Sequence, residues 1–250
     1  LEVLANGSDD AAVCLRDTVF VDAVKFDPGQ RVRVDLHLRE DKRGQVFETC
    51  YEKAAGKQVI AAKGRVAKDD RAEFFEQSGD PEAWRALALE SADCARFYAD
   101  PEQHCYGPSL LSVRRVHRLA DGVLAEIELT SSMQGEASEV YCHPALLDAL
   151  HVTSAFAVDW DDPVSKHSVP FAAKAVRVKG SLASLASQRL YAKVSLLQET
   201  AETKKFNCAL YTESGQPLIE LQDFSTKRVP SREALLGQKV ETKPAQVTQN

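Results

Sequence analysis

The sequence predicts an α+β fold in which antiparallel sheets each wrap a central helix. Three features predict it: strands that alternate apolar and polar residues, one mostly apolar helix set among them, and a tandem repeat of the β-rich unit. The composition is typical of a globular protein, since 44% of the 250 residues are hydrophobic and 27% are charged.

Residues 1–66 are predicted to be the first, incomplete β-rich half. An apolar strand is predicted at residues 19–26. Residues 31–38 alternate strictly between apolar and polar side chains, which predicts a half-buried antiparallel strand. Residues 46–51 and 58–66 then predict a hairpin around Ala55-Gly56.

Residues 67–105 are predicted to be a helical connector between the two halves. Asp80 followed by Pro81 and Glu82 is a typical helix start, because a capping carboxylate precedes a proline at the first helical position. A second short helix is predicted at about residues 92–98, where Asp100-Pro101 would end it.

Residues 106–229 are predicted to be the second β-rich half, and the polar residues 230–250 a flexible tail. Residues 144–158 differ from their neighbours, because their apolar side chains follow helical spacing and Pro144 suits a first helical position. The other apolar segments of this half predict strands, at residues 111–119, 123–130, 169–178, 189–197, 206–211 and 218–228.

The two halves resemble each other. Tyr51 precedes a turn at Gly56, Tyr211 precedes a turn at Gly215, and an alternating strand lies upstream of each, at residues 31–38 and 189–196. A sheet that wraps a helix, repeated twice, is the double hotdog architecture.

The repeat predicts that the first half also opens with a helix, most of which is missing. Counting back from the second half places nearly all of that helix before Leu1, with residues 1–5 as its last turn and Asn6-Gly7 as its C-cap. The start at Leu1 and the single methionine, Met133, likewise indicate a piece of a longer chain.

Charge and hydropathy exclude two classes of partner. The chain carries 31 basic and 37 acidic residues, a net charge of −6, and its basic residues are scattered, so we expect no nucleic-acid binding. No apolar run is long enough to cross a bilayer and no leader is visible, so we expect no membrane partner and a cytoplasmic location.

The cysteines indicate free, buried thiols in a reducing compartment rather than disulfides, since none of the six forms a CxxC pair. The neighbours His104-Cys105 and Cys142-His143 raise the alternative of a zinc site. Adjacent ligands rarely reach one metal together, so we predict no metal.

Asp148 and His151 are polar residues within a mostly apolar helix, and their presence there needs an explanation. They lie three residues apart and therefore share a helix face. One interpretation is structural, with hydrogen bonds to each other or to the sheet. The other is functional, because burial would raise the pKa of Asp148 enough for it to donate a proton near neutral pH.

At these residues the sequence resembles a known family. His143-Pro-Ala-Leu-Leu-Asp148 resembles the HPxLLD motif of the dehydratase domains of modular polyketide synthases, which are double hotdogs. Tyr106-Gly107-Pro108 resembles the YGP motif that precedes it in the same family. The resemblance covers residues 1–229.

The resemblance implies syn elimination of water from a β-hydroxyacyl thioester held by the phosphopantetheine arm of an acyl carrier protein, without a cofactor. Asp148 would be the general acid and His151 a partner that orients it. Tyr106, Gly107, Pro108, His143 and Pro144 would contact substrate. The expected partners are the carrier protein and neighbouring polyketide synthase domains, and a homodimer is compatible with the resemblance.

The sequence departs from the family in two ways. The HxxxGxxxxP motif, whose histidine removes the α proton in the family, does not occur in these 250 residues, and we expect it upstream of Leu1. The family usually has Gln or His four residues after the aspartate, where this chain has Val152.

None of the remaining histidines fits the missing motif, and we expect surface positions for His37, His104, His117 and His167. Two alternatives to dehydration therefore stay open. One is an inactive scaffold or carrier-binding domain. The other is a double-bond isomerase or an oxygen-ring cyclase that uses the same pocket.

Overall fold

A computed structural model of the chain describes residues 12–24, 30–53, 56–67, 78–99, 110–137, 140–161, 168–179, 182, 185 and 187–229. Its strands form one antiparallel sheet of eleven strands. They are β1 (Val13–Phe20), β2 (Val34–Asp41), β3 (Gly44–Lys53), β4 (Lys57–Ala67), β5 (Glu90–Asp93), β6 (Val113–Leu119), β7 (Gly122–Ile127), β8 (Ser168–Val178), β9 (Leu190–Glu199), β10 (Thr203–Thr212) and β11 (Pro217–Arg228). The helices are α1 (Pro81–Ala86), α2 (Ala95–Tyr98), α3 (Ser131–Ala137) and α4 (Pro144–Val158).

The order of strands in the sheet shows the internal repeat. It runs β2-β3-β4-β1-β8-β11-β10-β9-β7-β6-β5, so β1, β4, β3 and β2 follow outward from the centre as β8, β11, β10 and β9 do on the other side. The halves meet where β1 pairs antiparallel with β8, with Leu15 opposite Val176. The sheets of the two halves are therefore continuous.

The glycine turns that suggested the repeat adopt the same backbone conformation. Gly56 has φ +76° and Gly215 has φ +79°, in the left-handed region that glycine enters without steric cost. Each turn joins two strands that occupy equivalent places in their halves, β3 to β4 and β10 to β11. The predicted tandem repeat is confirmed by this geometry.

The main core lies in the second half, between α4 and the sheet. The helix packs against β6, β7, β9 and β10. Large side chains that are almost fully buried fill this layer, including Leu146, Leu150, Ile127, Leu190 and Leu210. The predicted helix at residues 144–158 is confirmed with the same bounds.

The equivalent strand of the first half is more exposed than its pattern predicts. The side chains of Val34, Leu36 and Leu38 are 50%, 38% and 37% exposed, although their alternation predicts a half-buried face. The physical reason is packing: β9 lies against α4, whereas β2 packs chiefly against β3. Strand β2 also begins at Val34, three residues later than predicted.

The connector begins its helix as predicted. The carboxylate of Asp80 accepts a hydrogen bond from the amide of Ala83 at 2.9 Å, with Pro81 at the first position of α1. The predicted second helix is shorter than expected, because residues 90–93 form strand β5 against β6 and only residues 95–98 are helical.

The connector covers the outer face of the second half, on the side of the sheet opposite α4. Trp84 packs edge-on against Tyr211, with ring centroids 5.1 Å apart, and Trp84 also packs with Leu119, Leu124 and Tyr191. The sheet of the second half is thus covered on both faces.

Some of the sequence-based predictions concern residues that the structure does not describe, and others agree with it. Residues 1–7, His104, Cys105, His167 and the tail at 230–250 lie outside. The described cysteines form no disulfide bond with one another and are buried, as predicted: Cys14, Cys50, Cys94, Cys142 and Cys208. Across the described part of the chain, no helix has the length and apolar character that a membrane crossing needs.

Candidate functional site

The N-terminal end of α4 is held by His143. Its Nδ1 accepts a hydrogen bond from the amide of Ala145 at 3.2 Å, which satisfies one of the amides that a helix start leaves open. Because Nδ1 accepts, the ring proton lies on Nε2, which faces the carboxylate of Glu136 at 3.4 Å. His143 is only 4% exposed, and Pro144 follows at the first helical position.

One stripe of α4 is less buried than the rest of the helix. At about 100° per residue, its members fall within an arc of about 100°. All are partly exposed, whereas the buried residues of the helix all lie outside this arc; Pro144, within the arc, is exposed, and Ala157, outside it, is partly exposed. We name this the open stripe; it consists of Leu147, Asp148, His151, Ala155 and Val158.

Asp148 is the acidic group of the open stripe. Its Oδ2 is buried and has no hydrogen-bond partner among the described residues. Burial raises the pKa of Asp148 from 3.8 to about 7, because the charged form loses its hydration. The sequence-based expectation of a raised pKa is therefore in line with the environment of this side chain.

His151 lies one turn further along the open stripe. Its ring stands edge-on to Phe224 of β11, with ring centroids 6.2 Å apart. Its backbone carbonyl accepts a hydrogen bond from the hydroxyl of Ser154 at 2.6 Å. The pairing of His151 with Asp148 stays a prediction, while Phe224 is a neighbour that the sequence did not indicate.

Two of the five residues predicted to contact substrate lie among the described residues. Tyr106, Gly107 and Pro108 lie outside the described residues. His143 and Pro144 lie at the start of α4, where Pro144 is exposed. Their contact with substrate stays a prediction, and the observed contacts of His143 show a capping role.

Helix α3 and Glu136 are parts of the site that the sequence-based prediction missed. Helix α3 falls where a strand was predicted to end, and it brings Glu136 to His143. The sequence did contain a signal for this helix, because Thr130 is a residue type that caps helix starts. In the structure its hydroxyl accepts a hydrogen bond from the amide of Met133 at 3.4 Å.

The predicted surface position is wrong for His117 and right for His37. His117 is 4% exposed, and its Nε2 donates to the carboxylate of Glu126 at 3.0 Å while its Nδ1 lies within hydrogen-bond distance of the hydroxyl of Ser91, at 2.8 Å. Two polar partners make burial of the imidazole acceptable. These three hydrogen-bonded side chains lie on the outer face of the sheet. Arg85 of α1 also approaches Glu126 there.

The chemistry available at the open stripe is proton donation. A carboxyl group whose pKa is raised to about 7 is protonated in a substantial fraction of molecules near neutral pH and can release that proton to a departing oxygen. Throughout the described ranges, His, Cys, Asp and Glu side chains form no cluster of three or more that could hold a metal ion.

Comparison with known sequences identifies a family. The profile of the polyketide synthase dehydratase N-terminal domain matches residues 76–235. This match includes most of the connector and the whole second half, with α4.

Solved structures with the same fold include dehydratase domains and a trans-acyltransferase polyketide synthase enoyl-isomerase. A trans-AT polyketide synthase dehydratase domain from Brevibacillus brevis superposes with a TM-score of 0.76 at 21% identity, covering 89% of this chain and 78% of that one. The CurK dehydratase gives a TM-score of 0.77 at 18% identity, covering 94% and 79%. These likenesses confirm the predicted double hotdog fold.

Curated relatives are far longer than this chain. Polyketide synthase GfsE of Streptomyces halstedii is 36% identical over 86 residues, which are 34% of this chain and 2% of the relative. The spectinabilin polyketide synthase system protein NorA of Streptomyces orinoci is 33% identical over 120 residues, which are 46% of this chain and 6% of the relative. The chain thus spans a few per cent of the curated relatives that it matches.

Proposed function

Because the chain belongs to the polyketide synthase dehydratase family, we propose that it removes water from a β-hydroxyacyl thioester to give an α,β-unsaturated acyl chain. The observation that carries this proposal is Asp148, a carboxyl group with a buried, unpartnered Oδ2 and a pKa raised to about 7. A hydro-lyase needs such a group, because hydroxide is a poor leaving group unless it is protonated as it departs.

The reaction divides between an acid and a base. A base removes the α proton, the electron pair forms the double bond, the bond from the β carbon to oxygen breaks, and Asp148 protonates the departing hydroxyl to form water. We propose Asp148 for the acid. For the base we propose the histidine of an HxxxGxxxxP motif encoded upstream of Leu1, as the resemblance to the family implies.

Other residues would bind the substrate and orient the acid. We propose that His151 orients the Asp148 carboxyl from the next turn of the open stripe, and that His143 and Pro144 fix the start of α4 beside the substrate. Support for this role of His143 is its capping bond to Ala145, which positions the helix that carries Asp148. Tyr106 to Pro108 would shape the substrate tunnel, and no cofactor is required.

We propose an acyl carrier protein as the partner that delivers the substrate on its phosphopantetheine arm. Neighbouring polyketide synthase domains would be further partners, a homodimer would be compatible with the family, and the location would be cytoplasmic. The support is family membership together with curated relatives that are polyketide synthases.

The test is the substitution Asp148→Asn in the domain as its parent gene encodes it. Asparagine keeps the size of the side chain but cannot donate an acidic proton, so we expect water loss from a β-hydroxyacyl carrier substrate to fall at least about 100-fold. The measurement is mass spectrometry of the carrier-bound acyl group, and circular dichroism checks that the fold is intact.

The matched control is Asp35→Asn, the same change on strand β2, where Asp35 pairs with the exposed Arg33 at 2.7 Å. Turnover of this variant should equal that of the unmodified domain.

Unchanged turnover in Asp148→Asn would refute the assigned role. A shifted double bond or a closed ether ring as product would support the isomerase or cyclase alternatives, and no turnover in the unmodified domain would support the inactive scaffold.

A further inference from the structure

Strand β11 contains a β-bulge in the segment that reaches the open stripe of α4. Between two successive pairs of the β10–β11 ladder, β11 has two residues, Gln222 and Asp223, where β10 has only Asn207. Asp223 has φ +47°, in the left-handed region that residues with a side chain rarely enter. Bulges re-aim side chains and are common next to active sites. The strained backbone persists only because the surrounding structure holds it.

Two side chains hold this bulge. The Oδ1 atom of Asn207 accepts a hydrogen bond from the amide of Asp223 at 3.2 Å. The hydroxyl of Ser225 donates a hydrogen bond to the carbonyl oxygen of Asp223 at 3.2 Å. Because a bulge disrupts the ladder locally, its backbone groups need other partners. Both backbone polar groups of Asp223 are thus satisfied by side chains.

The bulge decides which side chain of β11 faces α4. Ile219 and Leu221 are buried in the core that contains α4, two residues apart as strand alternation requires. Regular alternation would continue with Asp223 and would turn its carboxylate toward the helix. Because the bulge adds one residue, Phe224 takes that place, and it is 5% exposed. An apolar ring therefore stands where a second carboxylate would face the open stripe.

Two aromatic side chains contact the ring of Phe224. It stands edge-on to the imidazole of His151, with ring centroids 6.2 Å apart and an angle of 83° between the planes. It also packs against Phe206, with ring centroids 6.4 Å apart. Edge-on packing of aromatic rings is directional, so a displaced Phe224 would change the orientation of His151. His151 in turn shares a helix face with Asp148.

We propose that Phe224 is a positioning residue for the loss of water from the substrate. The bulge at Asp223 sets the ring of Phe224 against His151. Held in this way, His151 aligns the carboxyl of Asp148 with the departing hydroxyl. Asn207 contributes indirectly, by holding the bulge. The proposal rests on the proposed function, because it concerns the group that was assigned there as the acid.

The first test changes Asn207, whose side chain points away from α4, because Phe206 and Cys208 on either side of it belong to the core. Asn207→Ala removes the acceptor for the amide of Asp223, whereas Asn207→Asp keeps an oxygen in the same place. In the domain as its parent gene encodes it, Asn207→Ala should lower kcat at least about fivefold with KM unchanged. Asn207→Asp should recover most of that loss. An unchanged kcat in Asn207→Ala, or an Asn207→Asp variant that is equally slow, would overturn the proposal.

A double-mutant cycle tests whether Phe224 acts through His151. Phe224→Leu keeps an apolar side chain but removes the ring, and His151→Ala removes its partner. Each should lower kcat at least about tenfold, and the double variant should be no slower than the slower single variant, because both break the same link. A double variant slowed by the product of the two single effects would overturn the proposal.

The matched control for a loss of core packing is Phe97→Leu. Phe97 is 4% exposed and packs against Phe156 in the same core, with ring centroids 5.6 Å apart. Urea denaturation should show a loss of stability similar to that of Phe224→Leu, while kcat stays within about twofold of the unmodified domain. An equal fall of kcat in the two variants would show a general loosening of the core and overturn the proposal.

An NMR measurement tests the contact without turnover. The histidine rings are labelled with carbon-13, and the signal of His151 is identified by its absence in His151→Ala. Phe224→Leu and Asn207→Ala should both shift this signal, because the ring current of Phe224 is removed or displaced. Asn207→Asp should leave it in place. A signal that stays unshifted in Phe224→Leu and Asn207→Ala would overturn the proposal.

The same signals separate this proposal from the proposed function. Loss of turnover in Asp148→Asn with an unshifted His151 signal would reject the role of Phe224 and retain the dehydratase. Normal turnover in Asp148→Asn with shifted signals would reject the assigned acid, while the positioning of His151 by Phe224 would stand.

Discussion

The backbone amide of Gly79 donates a hydrogen bond to the carbonyl oxygen of Gly215, at 2.8 Å. Gly79 precedes α1 in the connector, and Gly215 lies in the turn between β10 and β11. A Cβ added at Gly215 would lie 1.8 Å from the carbonyl oxygen of Gly79. Only a residue without a side chain permits this approach, which holds the connector against the second half.

Gly215→Ala should therefore destabilise the fold by at least about 2 kcal/mol, because the left-handed backbone is strained for alanine and the methyl group collides with the connector. Urea denaturation measures the loss. The matched control is Gly135→Ala in α3, where an added Cβ meets nothing within 4 Å and helix propensity should contribute about 0.5–1 kcal/mol of stability. Equal effects of the two substitutions would contradict the close approach.

The ion pair between Arg177 of β8 and Glu220 of β11 should be costly to break. The nitrogen and oxygen are 3.5 Å apart, and the side chains are 4% and 1% exposed. Glu220→Gln removes the carboxylate that faces the buried guanidinium of Arg177, so we expect a loss of about 3–5 kcal/mol in the free energy of unfolding. The comparison is Glu48→Gln, which removes an ion pair with the more exposed Arg39 and should cost less than about 1 kcal/mol.

A second outcome tests the physical reason for that cost. The double substitution Arg177→Met with Glu220→Leu removes both charges, and it should recover most of the stability that Glu220→Gln loses. Thermal unfolding of the single and double variants at one pH gives the answer. A double variant as unstable as the single one would show that packing around the pair, rather than its charge, dominates.

The buried His117 should contribute more to stability than the exposed His37. His117→Ala removes the hydrogen-bond partner of both Glu126 and Ser91, and it opens a cavity, so we expect a loss of about 2–3 kcal/mol. His37→Ala should change stability by less than about 0.5 kcal/mol. Chemical denaturation of both variants checks this, and similar losses would argue against the buried network.

Asp148 should make the stability of the fold fall as the pH rises. Burial raises its pKa from 3.8 to about 7 in the folded chain. Between those values the folded state keeps a proton that the unfolded state has lost, so the free energy of unfolding decreases from about pH 4 to pH 7 and then levels off. The size of this contribution is on the order of 4 kcal/mol.

Asp148→Asn removes this dependence, because asparagine does not titrate. Its stability relative to the unmodified chain should therefore rise between pH 5 and pH 8, as measured by urea denaturation at four pH values across that range. Asp35→Asn serves again as the control and should show no such rise. A parallel pH dependence in the Asp148→Asn variant and the unmodified chain would place the carboxyl in a hydrated environment.

The residue pattern alone determined the fold class, the tandem repeat, the bounds of α4 and the identity of Asp148 as the acid candidate. Each of these depends on local periodicity or on a short motif, which residues near in sequence encode. The tertiary structure decided which faces are covered. It buried His117 against Glu126, left the apolar face of Val34 to Leu38 exposed, and brought Gly79 to Gly215. Those outcomes depend on segments distant in sequence, and no local pattern records which segment will pack against which.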